Sequence, residues 1–346
     1  MTVPSQHTQH ERAEELPLVT DSATVAAVGR MGHNRTEDVI ERVTELFRGT
    51  GRDEWVGRVE QPPSNDIDWD EVESLLADEG GSHEQLSTVL LSLKSRYNRP
   101  YPALLRVRVD PEENIGFSPG QYITVRYEDT PRPYSVASSP NEDVIEFCMR
   151  RVPDGRLTSK LFENLSEGDE VTVRGPNGDF VLEEPSGRDI AFLATGTGVA
   201  PLRSMIRYTL EECRDEHDGT QRDLWLFLGA AWKDDLPYRQ EFHELADEHE
   251  NFHFVPTCSR EEYLTDWDGE TAYVQQTLTK YLDENVPLPD AAQRAGGDPA
   301  YDIDARIDPE NLEVYACGVN AMVSRLAGMA RKLGVPDEHI QYEGYG

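Results

Sequence analysis

Lysine is nearly missing from this chain. Only five occur in 346 residues: Lys94, Lys160, Lys233, Lys280 and Lys332. The remaining basic residues are arginines, and together the two types number 33 against 66 acidic residues, a formal net charge of -33. That excess repels phosphate backbones and anionic headgroups, which excludes nucleic acid and anionic membrane as partners. An acidic surface that avoids lysine suits a cytoplasm at very high salt, where the screening length falls to about 3 Å near 1 M. A halophilic source is the expectation.

Cysteine is also scarce. Cys148, Cys213, Cys258 and Cys317 lie far apart and form no CxxC pair, so neither a zinc site nor an iron–sulfur cluster is indicated and no metal is expected. A chain this large is also a poor candidate for a disulfide framework. No run of 18 apolar residues is present to span a bilayer, and the opening "MTVPSQHTQHERAEE" lacks the apolar centre of a signal peptide. The expectation is a soluble cytoplasmic protein.

What is present changes texture twice along the chain, and its length suits two domains. Residues 1–86 read as a helical, partly disordered extension. Its front 35 residues are polar and aperiodic. "TEDVIERVTELFRG" then carries helical spacing with Thr36 as the cap, "QPPSND" reads as a linker, and "DWDEVESLLADEGG" as a second short acidic helix. Residues 87–184 offer short, β-branched, partly alternating segments: "STVLLSLKSRY", "ALLRVRVD", "QYITVRYED", "VIEFCMRRV" and "DEVTVRGP". Gly and Pro turns separate them, which argues a small antiparallel β-barrel or sandwich. "DGRLTSKLFENL" has helical character and would cap one end.

Residues 187–346 alternate apolar strands with helices, the pattern of a parallel α/β sheet covered on both faces. The strands are "IAFLATG", "LWLFLGAAW", "FHFVPTCSR" and "LEVYACG", and a helix "AYVQQTLTKYL" lies between the last two. Ligands of such sheets sit beyond the carboxyl ends of the strands. Those ends are small or polar: "TGTG", "GAA" with Ala230 and Ala231, "TCSR" and "CG". The stretch Pro287–Asn311, rich in Asp, Ala and Pro, reads as a surface insertion.

Two short stretches carry chemistry. In "RPYS", Arg132, Pro133, Tyr134 and Ser135 would lie on a strand, so that Arg132 and Tyr134 share a face. A flat aromatic ligand with a phosphate tail would use that set; an ordinary strand entering a serine-rich turn fits it too. In "LATGTGVAPLRSM", Gly196 and Gly198 allow close backbone approach. Pro201 suits the first helical turn, and the free N–H groups form an anion site.

Joined in order, "RPYS", "FCMRR", "DGRLTSKL", "GTGVAPLRS", "SRE", "YVQ", "YACGVNAM" and the terminal "YEGYG" resemble the plant-type ferredoxin–NADP(H) reductase family over residues 87–346. The resemblance implies an FAD-binding barrel followed by an NADP(H)-binding α/β domain. By it, Arg132 would hold the FAD pyrophosphate, Tyr134 would pack on the isoalloxazine, and Ser135 would sit near flavin N5. Cys148, Met149 and Arg150 would touch FAD, and Arg156, Leu157 and Thr158 would receive its phosphates. Thr197 would stand where flavin and nicotinamide meet, and Ser259 and Arg260 would bind the adenosine 2′-phosphate. Tyr273 and Gln275 would contact the adenine side. Cys317 and Gly318 would lie beside the nicotinamide, with Glu343 and the ring-stacking Tyr345 completing the centre.

Two departures stand out. Thr271 and Ala272 replace the lysine that plant-type members place before the adenine-side tyrosine, and Gly346 follows the aromatic on which they end. The implied activity is hydride transfer between NADP(H) and FAD, with single electrons going to or from a separate ferredoxin or flavodoxin-like carrier. Arg106, Arg108, Arg126, Arg150, Arg151 and Arg174 are the candidate basic patch for that partner. The alternatives are the reductase component of an oxygenase or other multicomponent redox system, and a non-catalytic nucleotide-binding subunit. Retention of Ser135, Cys317, Glu343 and Tyr345 together argues against the last.

Overall fold

The computed structural model describes residue 13 and residues 16–61, 66–78, 84–152, 155–288 and 296–345. These form two units. The larger runs through residue 31, from Pro102 to Ser259, and from Asp268 onward; the smaller comprises Gly32–Tyr101 and Arg260–Trp267.

Two sheets make up the larger unit. The first has strands β1 (Val19–Met31), β2 (Leu104–Pro111), β3 (Tyr122–Tyr127), β4 (Thr130–Ser135), β5 (Ile145–Arg150) and β6 (Glu170–Asn177). They are antiparallel in the order β4-β3-β6-β1-β2-β5. Alternation turns Val107 and Val109, Ile123 and Val125, and Val171 and Val173 into one core, as a sheet with one buried face requires. The sheet curls until its edges meet: Val136, just past β4, bridges Phe147 of β5, and Ala137 N donates to the Glu146 carbonyl at 2.8 Å. Helix Arg156–Asn164 buries Leu157, Leu161 and Phe162 against the same core.

Two expectations are corrected here. "STVLLSLKSRY" is not a strand but most of helix Glu84–Tyr97, whose Leu90 and Leu93 are buried one turn apart. Nor does the curled sheet begin after residue 86. Its longest strand is β1, which pairs with β6 on one side and β2 on the other. Its inward residues are small, Ala23 and Val25 among them, so the alternation is faint in the sequence.

The second sheet is parallel, with β7 (Asp189–Thr195), β8 (Leu224–Ala230), β9 (Phe252–Cys258), β10 (Leu312–Val319) and β11 (Ile340–Tyr345) in the order β9-β8-β7-β10-β11. Strand β8 is buried from Leu224 to Gly229, as a strand covered on both faces must be. The chain moves outward from β7 to β9 and returns to β10, so the strand order reverses between β7 and β10. That is the crevice where doubly wound sheets take ligands. Within "AYVQQTLTKYL" only Val274–Thr277 is α-helical, followed by a 3-10 turn at Leu278–Lys280. Of the Pro287–Asn311 insertion, residues 289–295 lie outside the described residues. Downstream of them, Ala300 N donates to Glu270 Oε1 at 2.9 Å.

The smaller unit packs helices Thr36–Gly49, Asp53–Val59, Trp69–Asp78 and Glu84–Tyr97. Phe47 and Trp55 meet edge-on at 5.4 Å. Thr36 is the first helical residue rather than the cap, which is Arg35; its hydroxyl donates to Asn34 Oδ1 at 2.8 Å. Arg42 Nε donates to the Tyr263 carbonyl at 3.0 Å and fixes the short 260–267 segment to these helices. The "QPPSND" linker falls largely outside the described residues. Among the described residues, no helix is long and apolar enough to cross a membrane, and no cluster of His, Cys, Asp or Glu could hold a metal ion.

Candidate functional site

The crevice at the carboxyl ends of β7 and β10 gathers most of the second-sheet candidates. Past Thr195 the chain makes a 3-10 turn, Gly196–Gly198, and enters helix Val199–Glu211 with no side-chain cap. Gly196 adopts φ 52, in the left-handed region open to glycine. A Cβ on Gly198 would fall 2.7 Å from the Cys317 carbonyl carbon and 2.8 Å from Gly318 Cα. The turn and the end of β10 therefore touch backbone to backbone, a contact that only glycine permits.

Cys317 is buried, and in the β10–β11 register it stands opposite Glu343. Burial pushes the Cys317 thiol up, and the Glu343 carboxylate adds to the effect, so the thiol is neutral at physiological pH. Burial likewise holds the Glu343 carboxyl above the usual carboxylate range. Tyr345 shares a hydrogen bond with Thr197 Oγ1 at 3.3 Å, and its hydroxyl donates to the Thr195 carbonyl at 3.5 Å. Its phenol is raised by burial, with the Thr197 hydrogen bond opposing. The side chain nevertheless keeps 40% exposure.

Residues of the curled sheet close the other side. Arg150, at the end of β5, brings Nη1 to 3.6 Å from where a Cβ on Gly196 would lie. A Cβ on Gly178 would meet the Tyr122 ring at 3.1 Å and Glu343 Oε1 at 3.9 Å. Tyr122 is the register partner of Ser135, just as Glu343 is that of Cys317. The Ser135 and Cys317 ends of the two sheets therefore belong to one seam.

On β4 the register pairs Val125 with Arg132 and Ile123 with Tyr134, which puts both side chains on one face. Arg132 is exposed, with Nη1 donating to the Pro131 carbonyl at 2.8 Å. Tyr134 is half-buried against Phe147, ring centroids 6.3 Å apart. Burial, opposed by Arg132, pushes its phenol up to about 12. Cys148 and Met149 are buried and can offer a ligand only backbone, whereas Arg150 points outward. Burial, then the Glu146 charge, pushes the Cys148 thiol up to about 12. Helix Arg156–Asn164 also starts without a side-chain cap, behind Gly155. Leu157 is core, and the Thr158 hydroxyl accepts from Val152 N at 3.1 Å.

The remaining candidates lie at the ends of β8 and β9. Ser259 N donates to the Ala230 carbonyl at 3.1 Å, and the Val274 side chain presses on Gly229, so Tyr273 and Gln275 flank the end of β8. Tyr273 is 63% exposed. Arg260 is exposed and begins the segment that folds with the helices of the smaller unit. Uncapped helix starts, a bare glycine turn, exposed guanidinium groups and a half-buried phenol ring suit two dinucleotides, one on each sheet.

The candidate basic patch is smaller than expected. Arg106 Nε lies 2.7 Å from Glu146 Oε1 and Arg108 Nε 3.5 Å from Glu146 Oε2, so their charge is met internally. Arg151 pairs with Glu163 at 3.4 Å, which leaves Arg126, Arg150 and Arg174 as the exposed members. Motif reading also missed Tyr122, Thr195 and a buried group around Arg203 and Tyr238. No local signal marks them, because each acts through a partner distant in sequence.

Residues 101–182 match the oxidoreductase FAD-binding domain family, and residues 192–327 the oxidoreductase NAD-binding domain family. Ferredoxin–NADP reductase B of Sorangium cellulosum is 32% identical over 235 residues, covering 66% of this chain and 85% of that protein. The naphthalene 1,2-dioxygenase system ferredoxin–NAD(P)(+) reductase component of Pseudomonas putida is 29% identical over 71% of this chain and 66% of its own. The chain spans 63% and 53% of the length of two further curated relatives. The crystal structure of Amycolatopsis cytochrome P450 reductase GcoB shares the fold at a TM-score of 0.62. Its identity is 23%, over 95% of this chain and 70% of that one.

Proposed function

Since this chain belongs to the ferredoxin–NADP reductase family of FAD- and NAD(P)-binding oxidoreductases, we propose that it serves hydride transfer between NADP(H) and FAD. Single electrons then pass to or from a separate ferredoxin- or flavodoxin-like carrier. The cofactors supply the redox chemistry, and the protein supplies placement and electrostatics. Arg132 and the uncapped start of helix Arg156–Asn164 hold the FAD phosphates, Tyr134 offers a ring face, and Ser135 places a hydroxyl at the seam. Cys148, Met149 and Arg150 line the same ligand, the first two through backbone alone.

On the nucleotide side, Gly196, Thr197 and Gly198 receive the pyrophosphate and Ala230 and Ala231 border it. Ser259 and Arg260 take the 2′-phosphate, and Tyr273 and Gln275 take the adenine side. Cys317 and Gly318 meet the nicotinamide with a neutral thiol, which sets no full charge beside the reacting carbon. Tyr345 covers the crevice and yields to the nicotinamide. Its two hydrogen bonds are long, and each such bond is worth only about 1 kcal/mol net, so displacement is easy.

One observation carries this reading: Thr197, Tyr345, Cys317 and Glu343 converge with Arg150 and Tyr122 of the other sheet at one crevice. Anaerobic titration with NADPH and NADH tests it. Bleaching of the flavin absorbance by NADPH in preference to NADH supports it, and a flavin-free protein or an unreduced flavin overturns it. A second reading, the reductase component of an oxygenase, is favoured by the similarity to the naphthalene dioxygenase reductase. Its site would be the same, so the acceptor decides: electron delivery that supports turnover of an oxygenase component, with no reduction of a stand-alone ferredoxin or flavodoxin, would favour it.

A further inference from the structure

Tyr238 precedes helix Arg239–Glu248 and is buried at φ 58. A side chain in this left-handed region is strained and persists only where its surroundings enforce it. Two guanidinium groups lie over its ring, Arg203 at 4.7 Å and Arg106 at 5.4 Å from the centroid. Its hydroxyl is buried within electrostatic reach of the Cys148 thiol and the Glu146 carboxylate. Burial first, and these two groups after it, hold the phenol well above its ordinary value.

Arg203 is the centre of this group. It lies on helix Val199–Glu211, just beyond the Gly196–Gly198 turn, and is 2% exposed. Its Nε donates to Glu241 Oε1 at 2.9 Å, and its Nη1 donates to the Ala137 carbonyl at 2.6 Å with Glu146 Oε1 3.7 Å away. Ala137 follows Ser135 by two residues, and Glu146 precedes Cys148 by two. One side chain from the nucleotide-side helix thus holds the connection leaving β4 and the strand β5, where the flavin-side candidates sit. Burial alone would weaken its basicity, but Glu241 and Glu146 outweigh that effect, so it stays charged.

An apolar contact could join the two sheets at least as stably, because desolvating a buried charge is expensive. A planar guanidinium fork adds direction, since all its partners must be met at fixed angles. We propose that Arg203, together with Tyr238 and Glu146, is a positioning cluster that fixes the nucleotide-side sheet against the flavin-side sheet and so aligns nicotinamide with flavin. This rests on the hydride-transfer reading above.

The test compares Arg203→Lys and Tyr238→Phe with wild type. Lysine keeps the charge but cannot reach Glu241, Glu146 and the Ala137 carbonyl together. Phenylalanine removes one hydroxyl and keeps the ring. Hydrogen–deuterium exchange over residues 136–149 is measured on the FAD-loaded protein, FAD affinity by fluorescence, and flavin bleaching at saturating NADPH by stopped flow. For Arg203→Lys the expectation is faster exchange, unchanged FAD affinity and bleaching slowed about ten- to a hundredfold, the scale of an ångström-sized misplacement. Tyr238→Phe should move the same way by less. Wild-type bleaching rates in both variants, with or without faster exchange, would overturn the proposal and leave the cluster merely structural. A wild type that neither NADPH nor NADH bleaches would sink the hydride reading, and this inference with it.

Discussion

Gly198 and Cys317 are in backbone contact, so close that a Cβ on the glycine would stand 2.7 Å from the cysteine carbonyl carbon. Neither backbone can retreat cheaply, because β10 is hydrogen-bonded on both sides and Gly198 leads directly into a buried helix. Gly198→Ala should therefore lower stability by about 1–3 kcal/mol, the usual scale of overpacking. It should lower the rate of flavin reduction further than stability alone explains, since it moves Thr197 and Cys317 together. Denaturant midpoints and single-turnover rates on the same sample would separate the two effects. A rate equal to wild type would remove the crevice from the mechanism.

Arg260→Ala tests the phosphate assignment. A charge-assisted hydrogen bond to a phosphate contributes about 1.5–3 kcal/mol, or roughly ten- to a hundredfold in affinity. The KM for NADPH should rise by that factor while the KM for NADH holds steady. Equal changes for both nucleotides would place Arg260 elsewhere. Because Thr271 and Ala272 stand where relatives of the plant type have a lysine, the wild-type preference for NADPH should be modest.

These residues also show what a sequence can carry. The parallel sheet is legible because "LWLFLGAAW" must be apolar throughout to lie between two layers of helices, and "ALLRVRVD" alternates because only one face of its sheet is buried. Strand β1 escapes the same test. Its core residues, Ala23 and Val25, are small, and one partner, β2, lies beyond the whole helical insertion. "STVLLSLKSRY" misleads in the opposite direction, since Leu90 and Leu93 fit a helical turn that its β-branched neighbours obscure. In the candidate site, Thr197, Cys317 and Tyr345 are legible from motif order. The Arg203 cluster is not, because its meaning lies in Ala137, Glu146 and Tyr238, which only the fold brings near.

The charge of -33 makes salt a direct variable. Raising ionic strength from 0.1 M to 1 M shortens the screening length from about 10 Å to about 3 Å, which relieves repulsion among carboxylates on the folded surface. The melting temperature should rise over that range, and reduction of an acidic carrier should improve from low salt to an optimum. Equal unfolding midpoints in dilute and molar salt would contradict the halophilic reading. A carrier rate that declines steadily from the lowest salt would contradict an acidic partner.

Glu343 gives a pH dependence of definite sign. Burial raises its carboxyl above the ordinary 4.5, so between that value and the folded one the native state keeps a proton that the unfolded chain has released. Stability must then fall as pH rises through this window. Above it, the ionised carboxylate remains a standing cost that glutamine, nearly its equal in size, does not incur. Glu343→Gln should thus raise the denaturant midpoint at neutral pH and leave it unchanged well below pH 4.5, where both side chains are uncharged in either state. A difference between variant and wild type that stays constant across that range would show that the Glu343 carboxyl titrates as it does in water.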